Sequence, residues 1–386
     1  VCRKAKILII ISGLFTFAMG LSNIFINVFF WNKTNDFKVI VVYNLMHYIF
    51  TPITFVLAAY IAKKKNGIWP LRIGLFIYAI FYLLILSMGE KGIGYIYFLG
   101  IVYGLACGFY WLAFNTLSFE LTSLNNRDTF NGYNGCCAGI AAAIAPITSA
   151  FIITSFNGYK GYKIVFLLTL SMFVLLFFMS SILKCDYNNS KLNIKEALHP
   201  NFKQWEFLKK SIFFWGFRDV IIIFIINILV IETVKSELFL GKLTLMASVI
   251  TSSSYILVQK IIKPPLRKKA ILLGTLGSFF AVLGLTINVS KFMLMIYVVM
   301  DAFFLPFFII QQNSSTFNLI DKSHNSELRM EYIINKDIYL NLGRIISSTI
   351  LLIVLMIFKD FEILKAYLFF IALSPIVAGY YLRKII

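Results

Sequence analysis

The chain has 386 residues, of which 60% are hydrophobic, 17% aromatic and only 14% charged, and its formal net charge is +19. A soluble domain carries roughly 25% charged residues. A soluble enzyme, a disordered chain and a disulfide scaffold are therefore excluded, and lipid is the expected surrounding.

Twelve apolar segments follow in order, at 7–31, 38–62, 69–88, 93–118, 131–155, 163–183, 211–231, 238–260, 270–289, 292–316, 332–358 and 362–382. A bilayer core about 30 Å thick takes ~20 apolar residues of helix. Lipid offers no partner to unpaired backbone, so each segment is expected to be a helix. The first is too long and uninterrupted for a cleaved signal peptide and reads as a true span. With the N-terminus inside, 24 Lys and Arg fall on cytoplasmic ends and 10 on the opposite ends; Arg218 and Arg344 lie within segments. That bias sets orientation. It predicts an even number of spans, a plasma-membrane protein and both termini in the cytoplasm. The net charge then needs no nucleic-acid partner.

The longest polar stretch, 184–209, lies midway and holds Asn188, Asn189, Ser190, His199 and Pro200. It predicts an N-terminal six-helix bundle (1–183), a cytoplasmic linker (184–209) and a C-terminal six-helix bundle (210–386). Ser190 to Leu198 can form a short surface helix. The halves look related: Phe114–Leu121, closing segment four, aligns with Gln312–Leu319, closing segment ten, with Asn115 opposite Asn313 and Phe119 opposite Phe317. Internal repeats are a common build of secondary transporters. Cys2, Cys107, Cys136, Cys137 and Cys185 have no metal-ligand spacing and are expected to be small buried hydrophobes.

Twelve spans, a central linker and basic loops 2–3 and 8–9 resemble the major facilitator superfamily (MFS). The resemblance covers essentially the whole chain. The family's loop 2–3 motif has its counterpart in Ala59, Ile61, Ala62, Lys63, Lys64, Lys65, Asn66 and Gly67, with Lys63 replacing the motif's Asp. Gly100, Gly104 and Gly108 are similar to the family's glycine-spaced fourth helix, and Gly135, Gly139 and Pro146 loosely resemble its antiporter motif. The resemblance implies an all-α membrane fold of two pseudo-symmetric six-helix bundles, with substrate bound between them. Lys63, Lys64, Lys65 and Arg267 become gate candidates.

Ionisable groups inside lipid are costly and usually face a cavity. Asp301 in segment ten and Arg344 in segment eleven lie at similar depth and are expected to form an ion pair, as a structural link, a substrate site or a proton-coupling site. With Arg218, Asp219 and His47 they make the candidate cavity or coupling set, Asp301 being the coupling carboxylate to test. Arg218 and Asp219 are adjacent in segment seven and point about 100° apart, so each needs another partner, or Arg218 snorkels to the surface. His47 sits at mid-depth in segment two as a packing residue or a proton exchanger. Asn23, Asn27 and Asn227 can bind a polar substrate or tie helices together, and Trp111 can line a cavity wall or pack in the core. The close-packing role of spacing-four glycines applies to Gly100, Gly104, Gly108, Gly135 and Gly139.

No phosphate-binding loop, paired-histidine metal motif or Ser/His/Asp arrangement occurs, so no cofactor or metal is expected. The chain reads as a secondary transporter moving a small solute by alternating access, with protons as one coupling ion to consider. A lipid or lipid-linked precursor flippase and multidrug efflux are alternatives on the same fold. A membrane enzyme is disfavoured by three scattered histidines, and a sensor by the lack of a soluble domain. The expected partners are membrane lipid and a small-molecule substrate, and the expected state is a monomer.

Overall fold

The computed structural model describes residues 2–122, 127–156, 158–184, 191–198, 203–322, 328–358 and 363–386. Among these, every regular element is helical. Eleven apolar helical stretches are long enough to cross a membrane. One of them, Ile68–Glu120, is 53 residues long, over twice what a bilayer accommodates. A 3-10 turn at Gly89–Tyr95 folds it into two arms that pack on one another, and Gly89 takes φ +51° at that corner. Counted by arms, the spans among the described residues number twelve.

The chain divides into two compact units, Val1–Leu192 and Asn193–Ile386. Unit one holds α1 (Arg3–Thr34), α2 (Phe37–Lys64), α3 (Ile68–Met88), α4 (Ile96–Glu120), α5 (Arg127–Ser155) and α6 (Tyr159–Ser180). Unit two holds α7 (Lys203–Val234), α8 (Glu237–Ile261), α9 (Arg267–Ile287), α10 (Lys291–Lys322), α11 (Arg329–Ile357) and α12 (Ile363–Arg383). Helix α7 contains a π-helical turn at Ile221–Ile225, and α12 is interrupted at Leu373 before Pro375.

Both units are laid out alike. In unit one, α1 packs on α5 and α6, α4 on α2 and α3, and α3 on α6. In unit two, α7 packs on α11 and α12, α10 on α8 and α9, and α9 on α12. Local details repeat with the scheme. Helix α1 ends on Asn35 in the left-handed region, and Asp36 then caps α2 by accepting from the Lys38 N–H at 2.9 Å. Helix α7 ends on left-handed Lys235, and Ser236 caps α8 by accepting from the Phe239 N–H at 3.2 Å. Short polar side chains at these N-caps satisfy donors that the helix leaves orphaned. Gly74 lets α3 approach the Tyr110 backbone nitrogen of α4, and Gly274 lets α9 approach the Phe308 nitrogen of α10.

The α2–α4 contact follows from one sequence feature. A Cβ on Gly100, Gly104 or Gly108 would lie 2.5, 2.7 or 2.6 Å from the carbonyl oxygens of Tyr43, His47 and Thr51. Three glycines one turn apart thus let α4 lie directly against the backbone of α2. Gly135 does not follow that expectation, because a Cβ there meets no heavy atom within 4 Å. The cysteine expectation also needs correction. Cys2, Cys136 and Cys137 are exposed and Cys107 is half-buried. Small apolar residues are buried only where a neighbouring helix covers their face, and the stretch around Cys136 and Cys137 is largely uncovered. Cys185 lies outside the described residues.

Part of the polar stretch 184–209 lies among the described residues. Asn188, Asn189, Ser190, His199 and Pro200 lie outside the described residues, but Ile194–Leu198 forms one helical turn. Residues 203–209 are the first turns of α7. Their polar faces hide the helix in a hydropathy reading, yet Trp205 and Leu208 are fully buried. The turn is fastened to α11. The Asn193 N–H donates to Glu331 Oε1 at 3.0 Å, and Asn335 Nδ2 donates to the Leu198 carbonyl at 3.1 Å. Asn335 Oδ1 accepts from the Trp205 indole at 2.8 Å. Asn335→Ala strands a buried donor, and such a loss costs ~1–3 kcal/mol. Limited proteolysis of the purified variant should cut near 198–203 several times faster than wild type. Equal cleavage would mean the fastening contributes nothing.

Candidate functional site

Several charged side chains that lie deep in the helices of unit two converge on α7. Helix α7 packs against both α10 and α11, and its adjacent residues Arg218 and Asp219 point about 100° apart. Each reaches a different neighbour. Arg218 Nη2 donates to Asp301 Oδ1 on α10. Arg344 on α11 donates to Asp219 Oδ2 from Nη2 at 2.6 Å and from Nε at 3.0 Å.

The expected Asp301–Arg344 pair is therefore corrected. The two residues do lie at similar depth, but α7 supplies the partner of each. Arg218 does not snorkel: it is 1% exposed and lies under the Trp215 ring, 4.5 Å from its centroid. Trp215 in turn stacks on Phe308 of α10 at 4.1 Å. The two pairs differ in access. The Arg218 and Asp301 side chains are 1% and 9% exposed, whereas those of Arg344 and Asp219 are 19% and 16% exposed. The first pair is nearly sealed and the second is partly exposed.

The local sequence explains how α7 and α11 meet. Gly216 lies against the Leu340 carbonyl and Gly343 against the Phe213 carbonyl. Glycine against glycine brings the backbones close enough for Asp219 to take both Arg344 donors. Ser347 ties the same helices by donating to the Phe217 carbonyl at 3.2 Å. Further along α11, Arg344 Nη1 donates to Asn341 Oδ1 at 3.4 Å, and Asn341 Nδ2 donates to Asp337 Oδ2 at 2.9 Å. The sequence reading missed Asp337 and Asn341. Their spacing with Arg344, four residues and then three, is the signal of one helical face. Asn227 is buried, and its Nδ2 donates to the Ile223 carbonyl within the π-helical turn at 3.0 Å.

Unit one carries an uncharged counterpart. Tyr103 on α4 donates its hydroxyl to Asn23 Oδ1 on α1 at 2.8 Å. Asn44 on α2 donates to Asn27 Oδ1 at 2.8 Å, and Asn27 Nδ2 donates to the Asn23 carbonyl at 3.3 Å. His47 sets its ring edge-on to Tyr103 with centroids 4.7 Å apart. Ser22 and Tyr82 share a further hydroxyl bond. Asn23 and His47 are half-buried, while Asn27, Asn44 and Tyr103 are buried. Asn44, Tyr82 and Tyr103 escaped the sequence reading, because one tyrosine among twenty carries no distinguishing mark. Trp111 is 42% exposed and meets Phe15, Tyr110 and Phe114 edge-on.

The gate candidates separate. Lys63 is buried at the end of α2, while Lys64 and Lys65 are exposed. The Lys65 ammonium lies 4.2 Å from the Trp69 ring centroid. Arg267 begins α9 and lines a cleft of about 290 Å³ with Pro264, Ser315, Asn318 and Leu319.

The model of the Major Facilitator Superfamily matches residues 8–329. The uncharacterized protein YqgE of Bacillus subtilis (strain 168) is 35% identical over 357 residues, covering 92% of this chain and 83% of that one. An uncharacterized protein in the sodM 3' region of Geobacillus stearothermophilus is 40% identical over 165 residues, covering 43% of this chain and 77% of that one. Among solved structures, a point mutant of the nucleoside transporter NupG superposes with a TM-score of 0.73 at 14% identity, covering 99% of this chain and 100% of that one. A point mutant of the E. coli fucose:proton symporter FucP gives 0.67 at 13% identity, covering 99% and 98%.

Proposed function

The chain belongs to the Major Facilitator Superfamily, a multi-pass membrane transporter, and from that premise we propose that it moves a small polar solute by alternating access. The observation that carries the reading is the open Asp219–Arg344 pair beside the sealed Arg218–Asp301 pair. Charges deep in a spanning helix are expensive, and function is the usual reason to keep them. The sealed pair holds α7 on α10. The open pair can trade its internal bonds for bonds to a solute. Within unit one, Asn23 and His47 are the half-buried members of the amide and aromatic network and offer neutral polar contacts. A solute bonded more strongly in one state than another shifts the population, and only that difference drives the cycle.

The test begins with a thermal-shift screen of purified protein against nucleosides, sugars and divalent metal salts. A stabilising probe is then followed by counterflow in proteoliposomes. Arg344→Lys is the decisive variant. Lysine keeps the charge but cannot offer the planar pair of donors. Charge-assisted bonds are worth ~1.5–3 kcal/mol, so counterflow should fall by about 10- to 100-fold, and the solute-induced melting shift should shrink relative to the variant's own solute-free baseline. Unchanged counterflow in Arg344→Lys would remove the open pair from the solute path.

A further inference from the structure

Three carboxylates and two guanidiniums meet along α7, α10 and α11. Asp301 is taken by Arg218 and Asp219 by Arg344. Asp337 has no guanidinium of its own. It accepts from Asn341 Nδ2 at 2.9 Å, and that amide's oxygen accepts from Arg344 Nη1 at 3.4 Å. Asn341 is fully buried and also donates to the Asp337 carbonyl at 3.0 Å. The result is an ordered row: Asp219, Arg344, Asn341, Asp337. Lys336 is adjacent and its charge acts on Asp337, as that of Arg344 does, while its ammonium bonds Asn313 Oδ1 on α10 at 3.3 Å.

The other charged groups around this stretch are engaged. On α7, Lys209 pairs with Glu206 at 2.5 Å, and Arg218 and Asp219 are accounted for above. Glu331, at the start of α11, accepts from the Asn193 N–H, and Glu196 of the helical turn accepts from the Tyr332 hydroxyl at 3.5 Å. Helix α12 meets α11 through the Tyr367 hydroxyl, which bonds Ser347. Asp337 is half-buried and lies eight residues, about 12 Å, from the start of α11 at Arg329. It therefore stands between the loop end of the helix and the open ion pair.

We propose that Asp337 is the proton-exchanging carboxylate of this transporter, relaying its charge state to the Asp219–Arg344 pair through Asn341. This rests on the reading of that pair as the working site. The step balances simply. Protonated Asp337 gives one proton to water reaching its half-buried carboxyl and becomes a carboxylate; no other covalent bond changes. The carboxylate then competes with Asp219 for the Arg344 guanidinium through the Asn341 amide. Regaining the proton returns Arg344 to Asp219. Proton relays are an attested use of carboxylates inside spanning helices.

The test uses protons alone as the probe. Acid-minus-base infrared difference spectra are recorded on purified full-length protein in lipid bilayers across the physiological pH range. Wild type should show a titrating carbonyl stretch of a protonated carboxylic acid. Asp337→Asn should lose that band, and Asp301→Asn and Asp219→Asn should keep it. Asp337→Glu should shift its frequency, which decides the matter even where Asp337→Asn folds poorly. A band that survives in Asp337→Asn, does not shift in Asp337→Glu, or is absent from wild type overturns the proposal. None of these readouts requires solute movement, so failure of the solute reading shows separately in the counterflow of Arg344→Lys.

Discussion

Arg218→Met is expected to lower stability by about 3–5 kcal/mol, because it strands the Asp301 carboxylate in a sealed site. Arg218 is fully buried against Trp215, and Phe308 is stacked behind that ring. The packing leaves little room for water to replace the lost donor. For a unit of this size the loss corresponds to a melting shift on the order of 10 °C, read by heating detergent-solubilised protein and following the surviving monodisperse fraction. The paired change Arg218→Met with Asp301→Leu should recover most of the loss, since removing both charges also removes both desolvation penalties. If the single and double variants melt alike, the ion pair is not what stabilises the α7–α10 contact.

Gly216→Ala is the second large expected effect. The added Cβ would fall on the Leu340 carbonyl oxygen, with the Arg344 nitrogen and Gly343 Cα each 3.2 Å away. All three are backbone atoms of α11 and cannot rotate aside. The helices must separate, at a cost of about 1–3 kcal/mol for an overpacked contact. Separation also lengthens the two bonds from Arg344 to Asp219, so counterflow should drop with stability. Gly135→Ala is the matched control, because its Cβ meets nothing within 4 Å, so it should lose no stability and gain up to about 1 kcal/mol of helix propensity. Equal melting temperatures for the two variants would show that α7 and α11 have slack at their crossing.

The membrane architecture was legible because hydropathy is a one-dimensional quantity. Spans, a central break and a repeated loop pattern all lie along the chain. Depth was legible for the same reason, so Asp301, Arg344, Arg218 and Asp219 could be placed well inside their segments. Partner choice was not, because it depends on which helix stands beside which. Helix α7 packs on both α10 and α11, and that single fact turns one expected pair into two. Asp337 was overlooked for a different reason. It sits beside Lys336 about two turns into α11, and next to a cytoplasmic-side lysine an acid reads as part of a loop-end charge cluster. In unit one, Asn23 and Asn27 stood out as amides in an apolar segment. Their partners Tyr103 and Asn44 emerge only when α1, α2 and α4 are assembled.

The π-helical turn in α7 bears on how its two ends are phased. The Ile226 N–H reaches back five residues to the Ile221 carbonyl, so the helix carries one residue more there than an α-helical turn holds. Along a regular α-helix, Asn227 would lie about 80° around the axis from Asp219; absorbing one residue brings the two within about 20°. The bulge thus aligns a charged and a neutral polar side chain on one stripe, two turns apart, while leaving the isoleucines between them to fill the core. The chain in this place is one residue longer than its phase requires. Losing a single isoleucine from Ile221–Ile223 would straighten the turn without rotating either end. The insertion and the polar stripe are therefore separable properties, and within the bulge Asn227 Nδ2 donates to the Ile223 carbonyl.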